Sequence, residues 1–330
     1  MATYKGIQGY SVQKLSDDPT ASEAAGQLWY NSTSGKFKIS TEGAGAWAAG
    51  GAINTGRSYL AGAGSNTAGI VFGGTVPGGR TADTETYNGT TWTETSNLVQ
   101  SRDRLMSCGQ VNTAVLGFGG YISGPVGKTN LTELWNGSAW TEVGDMQANK
   151  AAAGAAGTST SGVVAGGSPN GAPTVDSESW NGSSWSEVAN LNTARTNLAA
   201  AGESNTSALM IGGTPGSDPF FAGAESWNGT AWTEVADLNA ARRALMASGT
   251  STLALAWGGR TPPNTVVASN ESWNGTAWTE VADLSTVMQE GTGSSITTNT
   301  SAFSTGGSPA VTATEIWDDP VYTIKTVTVS

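Results

Sequence analysis

The sequence predicts an all-β chain built on a six-bladed β-propeller of four-stranded blades, with a small N-terminal extension. Three recurring features lead there. A Gly-Gly pair ends an apolar run six times, beginning at Gly73, Gly119, Gly166, Gly212, Gly258 and Gly306, with spacings of 46, 47, 46, 46 and 48 residues. Behind each pair come a loop and a glutamate (Glu85, Glu133, Glu178, Glu225, Glu271, Glu315), and five of these open the string Glu-x-[Trp/Tyr]-Asn-Gly-[Thr/Ser]-x-Trp-[Thr/Ser]-Glu. Ahead of the pairs lie runs of small residues, such as "AGAG", "MSCG" and "MASG", that follow a cation in five units of six.

The elements of one unit follow in order. The small-residue run is the first strand, because side chains crowding a central axis must be short. The apolar run ending in Gly-Gly is the second. The third ends at one tryptophan and the fourth begins at the next, with Asn-Gly between them in a hairpin turn of two or four residues, since both tolerate the positive φ of a type I′ turn. The fourteen residues Glu225–Leu238 recur unchanged at Glu271–Leu284. Their Trp227 and Trp232 are expected to share one side of the hairpin and pack between neighbouring blades. In the sixth unit "DDP" interrupts the last hairpin, so the segment around Trp47 is expected to supply the missing outer strand and close the ring. The expected organisation is an N-terminal anchoring segment over 1–44 with a hairpin at 28–40, the propeller over 45–317, and a C-terminal strand or tail over 318–330.

Gly-Gly after an apolar strand, followed by an aromatic and then a second tryptophan, resembles the repeat of kelch-type propellers from about Trp47 to Trp317. The leader "GQLWYNSTSGKFKIS" is similar to short N-terminal modules of bacteriophage tail-fibre and other virion structural proteins. The two resemblances imply a bacteriophage virion protein, a tail fibre, appendage or decoration, held to other virion proteins through residues 1–44. Its propeller loops would attach to a host-surface glycan or protein. A purely structural decoration or spacer, and a free carbohydrate-binding lectin or kelch-type adaptor, are the alternatives. A homo-oligomer is compatible with this reading, although no heptad pattern supports a coiled coil.

Composition narrows the function classes. With no histidine there is no Ser-His-Asp or Cys-His catalysis and no histidine-ligated metal. The acids fall mostly at repeating positions, whereas a catalytic pair breaks symmetry, so no enzyme, metal or cofactor is expected. A net charge of −11, with 15 Lys+Arg against 26 Asp+Glu, argues against nucleic-acid binding. No run approaches the length of a membrane span. No secretory signal opens the chain, so a virion protein made in the host cytoplasm is expected.

Two residue groups are candidates for binding. Arg57, Arg102, Lys150, Arg195 and Arg242 begin the first strands and are expected to circle one mouth of the central channel, the sixth unit having Val287 there. They read either as a basic ring for an anion or, more in keeping with six glutamates in step, as structural partners of those glutamates. The loops after each Gly-Gly are the segments that do not repeat, and such loops on a rigid scaffold are where binding sits. Their candidates are Arg80, Tyr121, Asp218, Arg260 and the adjacent Phe220 and Phe221, which read either as an exposed aromatic patch or as a pair of which at least one folds back onto its blade.

Overall fold

The computed structural model describes residues 12–327 except 22, 123–126, 170, 217–219 and 296–297. The described residues form strands, turns and loops without a helix, so no helix is long and apolar enough to cross a membrane. The chain divides into two compact units, one made of residues 1–46 with 319–330 and the other of Trp47–Asp318.

Among the described residues of the larger unit there are six four-stranded sheets. Sheet one consists of Ala61–Gly64, Gly69–Phe72, Thr84–Tyr87 and Trp92–Thr95, each strand antiparallel to the next. Sheets two to five repeat this order with first strands Met106–Val111, Gly154–Gly157, Ala199–Ser204 and Met246–Gly249. Sheet six takes Thr292–Gly293, Ser301–Thr305 and Thr314–Asp318 from late in the chain, and its fourth strand is Ala46–Ala49. Each first strand contacts the first strand of the following sheet, and that of sheet six contacts that of sheet one.

This close approach explains the small residues. A Cβ on Gly62 would lie 2.8 Å from the Thr292 side chain of the neighbouring sheet. The Gly-Gly pairs are explained at the same point. Gly73 has a φ of 62°, and a Cβ there would stand 2.7 Å from the Arg102 carbonyl oxygen. Its neighbour Gly74 donates its N–H to that carbonyl at 2.8 Å. The same bond recurs from Gly120 to Lys150, Gly167 to Arg195, Gly213 to Arg242, Gly259 to Met288 and Gly307 to Arg57, so it links every sheet to the next and returns to the first.

Tryptophans fill the spaces between sheets. Trp273 and Trp278 of sheet five pack on Leu209 and Ile211 of sheet four, and Trp135 and Trp140 of sheet two pack on Ile70 and Phe72 of sheet one. Within a hairpin the two rings are 5.1–5.5 Å apart wherever both are tryptophan. The first ring's N–H bonds a turn of its own sheet, as Trp227 does to the Asn205 carbonyl at 2.8 Å. The second reaches the preceding segment, as Trp232 does to the Ala189 carbonyl at 3.0 Å. In the hairpin pairs the aromatic bodies are thus buried while their polar handles remain satisfied, whereas the buried Trp47 Nε1 of the sixth sheet has no partner among the described residues.

Of the two turn lengths left open by the sequence, the Asn-Gly hairpins take the longer: Trp227 pairs directly with Trp232, leaving a four-residue loop. Only the glycine takes a positive φ, 89° at Gly229. Asn228 acts through its side chain, whose Oδ1 accepts the N–H groups of Thr230 and Ala231 at 2.9 Å, a local turn that competes well with the tighter one. In the sixth unit the residue at the cation position is Met288, not Val287. The Gly259 bond selects Met288, which is buried, while Val287 is 56% exposed.

The smaller unit is one sheet in the order Gln13–Leu15, Leu28–Asn31, Lys36–Gly43 and Val321–Thr326, with only the first pair parallel. Asp18 ties it together, accepting from Trp29 Nε1 at 3.0 Å and Asn31 Nδ2 at 2.6 Å. Those two bonds, with Lys38 nearby, hold its carboxyl below the usual value. Trp29 and Asn31 face the buried side. Alternation places Leu28 and Phe37 on the opposite side, where they are exposed. Val12 and Val327 flank them and are exposed as well.

Two outcomes are expected. Gly73→Ala should lower stability by about 2–3 kcal/mol through strain and the carbonyl clash, read as a lower thermal midpoint. Gly78→Ala, where an added Cβ meets nothing within 4 Å, should leave it unchanged. Cys108 is buried, donates to the Ala156 carbonyl, and has a thiol pushed up to about 12 by burial. A thiol reagent at pH 8 should therefore leave the native protein unlabelled and modify it only after unfolding.

Candidate binding site

The five repeated cations do not ring an open mouth. The side chains of Arg57, Arg102, Lys150, Arg195 and Arg242 are at most 1% exposed, and each pairs with the third-strand glutamate of its own sheet. Arg102 Nη2 is 2.7 Å from Glu133, Arg195 Nη2 is 2.9 Å from Glu225 and Arg242 Nη2 is 2.6 Å from Glu271. The Arg195 Nη1 donor also meets the Gly223 carbonyl at 2.7 Å. The second carboxylate oxygen accepts backbone N–H groups of the crossover segment, as Glu225 does from Asn192 at 2.8 Å. Cation, acid and crossover therefore form one buried latch. Burial pulls the guanidinium pKa values down, and the paired glutamates oppose that shift. Lys150 is the weak member: its Nζ is 3.9 Å from Glu178 and bonds instead to the Asp176 carbonyl at 2.9 Å.

What lies at the mouth is the residue two positions after each latch residue: Tyr59, Arg104, Ala152, Asn197, Ala244 and Glu290. All six hold a left-handed backbone, with φ between 51° and 58°. Their backbones close a cycle, Arg104 N–H to the Tyr59 carbonyl at 2.9 Å and so round to Tyr59 N–H on the Glu290 carbonyl at 2.7 Å. Inside this cycle the first strands enclose a cavity of about 160 Å³, and at the cycle itself is a second of about 110 Å³. Tyr59, Arg104, Asn197 and Glu290 give the outer cavity its polar groups. Burial and a hydrogen bond to Glu290 raise the Tyr59 hydroxyl pKa, with Arg104 opposing.

Of the loop candidates, Arg80 and Tyr121 come together. Arg80 is 5.8 Å from the centre of the Tyr121 ring, joined there by Arg104 at 5.5 Å and Lys128 at 5.3 Å. Arg104 also lies 4.2 Å over the Tyr59 ring, within range of a strong cation–π contact. Arg80 Nε stands 3.1 Å from Asp103, too far off line for a hydrogen bond but close enough for an ion pair. Arg260 sits elsewhere, bonded to Gln289 and, at 2.9 Å, to Asn264.

Of the two readings of the aromatic pair, the folded-back one fits. Phe220 is only 6% exposed and lies 5.4 Å from the Arg243 guanidinium, while half-buried Phe221 lies 5.3 Å from that of Arg195. Both rings cover cations of neighbouring segments instead of facing solvent as a patch. Asp218 lies outside the described residues.

Sequence reasoning missed Tyr59, Arg104, Asn197 and Glu290 at the mouth, with Lys128 beside them. Their signal was present: the position two after the cation varies freely inside an otherwise repeating string. No family model and no curated protein sequence matches this chain.

The latch makes two predictions. Arg195→Ala, which leaves Glu225 buried without its cation, should cost about 3–5 kcal/mol in a denaturant titration. Lys150→Arg should add about 1 kcal/mol by restoring a direct charge-assisted bond to Glu178, and a lower midpoint would contradict the latch geometry.

Proposed function

We propose that the Trp47–Asp318 unit is a six-bladed, kelch-type β-propeller, and that the chain is a bacteriophage virion appendage or decoration whose propeller face recognises a host-surface glycan or protein. The observation that carries the reading is the division of labour between the two units. Strands from residues 13–43 and 321–326 gather in one sheet with exposed Leu28 and Phe37, while the variable loops and the polar mouth stand together at the Gly-Gly end of the other unit. The six-bladed reading is supported by the two backbone cycles, each of six bonds returning to its start.

The charges support it further. Residues 47–318 hold 10 Lys+Arg and 21 Asp+Glu, whereas the end unit holds 5 of each. Many copies on one particle would repel through their propellers and attach through a neutral, partly apolar unit. The resemblance of "GQLWYNSTSGKFKIS" to virion leaders points the same way.

The test is incorporation. The full chain should co-migrate with phage particles in a density gradient, and the Leu28→Ser/Phe37→Ser variant should leave the particle fraction while keeping its thermal midpoint. A wild-type chain found only among free proteins would overturn the virion reading. Labelled full chain should also bind host cells saturably, and no binding would leave a structural decoration in place of a receptor-binding protein.

A further inference from the structure

The cations of this chain divide into two kinds. Arg57, Arg102, Arg195 and Arg242 each have a buried glutamate of their own. Arg80, Arg104 and Lys128 gather instead around the Tyr121 ring, where Asp103 pairs with Arg80 and also attracts Arg104, and no described carboxylate pairs with Lys128. Lys128 is 8% exposed, and its Nζ donates to Ser168 Oγ at 2.9 Å. A buried ammonium held by a neutral hydroxyl and a ring, without a carboxylate, is costly, and acids outnumber cations 26 to 15 in this chain. Glu290, the other acid at this mouth, is engaged by the Tyr59 hydroxyl. The cluster therefore keeps an excess of positive charge beside the 110 Å³ cavity that Arg104 and Tyr59 line.

We propose that this cluster, between the first and second sheets, binds the carboxylate of an acidic sugar. The proposal rests on the receptor-binding reading above and narrows it to a ligand class. Arg104 lies against the Tyr59 and Tyr121 rings and bonds the Tyr59 hydroxyl, while its buried Nε–H has no partner among the described residues and is left for an acceptor. A carboxylate supplies two such oxygens. Lys128 and Arg80 add point charge, and the half-buried Tyr121 offers an aromatic surface to the sugar body. The ligand supplies the negative charge that the protein places elsewhere.

The experiment is calorimetric titration of the full chain with an oligosaccharide containing uronic acid, with the same oligosaccharide reduced at its carboxyl groups, and with inorganic sulfate. Only the acidic oligosaccharide should bind. Arg104→Gln should weaken it about tenfold or more, the worth of one charge-assisted hydrogen bond. Arg243→Gln, a cation placed over Phe220, should not. If Arg104→Gln does not fold, Lys128→Gln provides the same comparison. Equal binding of the reduced form, no binding of either form, unchanged affinity in the cluster variants, or sulfate binding as tightly as the sugar would each overturn the proposal. The two readings fail separately. Oligosaccharide binding without adhesion to cells removes the receptor role and keeps the site. Adhesion undiminished by Arg104→Gln removes the site and keeps the role.

Discussion

Each sheet of the larger unit is joined to the next by one backbone hydrogen bond, from the second glycine of its pair to the carbonyl of the residue that opens its neighbour. Much of the repeat is arranged so that this bond can form. The first glycine turns the chain left-handed where a side chain would strike that same carbonyl. The residue that owns the carbonyl carries the latch cation in five units, so its side chain reaches back to a glutamate while its backbone faces the next sheet. Two residues further on, the chain is left-handed again and adds a bond to the mouth cycle. Side-chain electrostatics and backbone geometry therefore meet within three residues.

The division between scaffold and site follows. Residues that repeat do so because neighbouring sheets make identical demands on them, as with the tryptophan pair whose second N–H crosses to the preceding segment. The mouth positions answer to a different requirement. Their backbone conformation is common to all six, yet their side chains are of five types, from Ala152 and Ala244 to Arg104. A fixed backbone with free side chains is a favourable setting for recognition, since chemistry can change there without disturbing the fold.

The strands, the Gly-Gly positions and the location of the tryptophans were legible because each leaves a periodic mark, whereas the bond that each second glycine makes to the next sheet was not. The mouth was hidden because a left-handed Tyr, Arg or Glu has no compositional signature; a glycine there would have been conspicuous. Exposure of Phe220 and Phe221 stayed open because the cations that the pair covers, Arg195 and Arg243, come from other parts of the chain. The sixth unit was misaligned by one residue for an allied reason. Without a cation to anchor the comparison, Val287 and Met288 could not be told apart by pattern, only by the Gly259 bond.

The fourth strand of the sixth sheet comes from Ala46–Ala49, some 270 residues ahead of its partner Thr314–Asp318. An open array of repeats gains stability unit by unit and frays from its ends. Here the terminal repeats are each other's neighbours, so no unit is free to peel away alone. The unit that lacks a latch cation, which in a linear array would be the place to start unravelling, is the one stitched shut by the other end of the chain. Completing the sixth sheet therefore requires a long-range pairing, whose loop-closure entropy makes it slow to find.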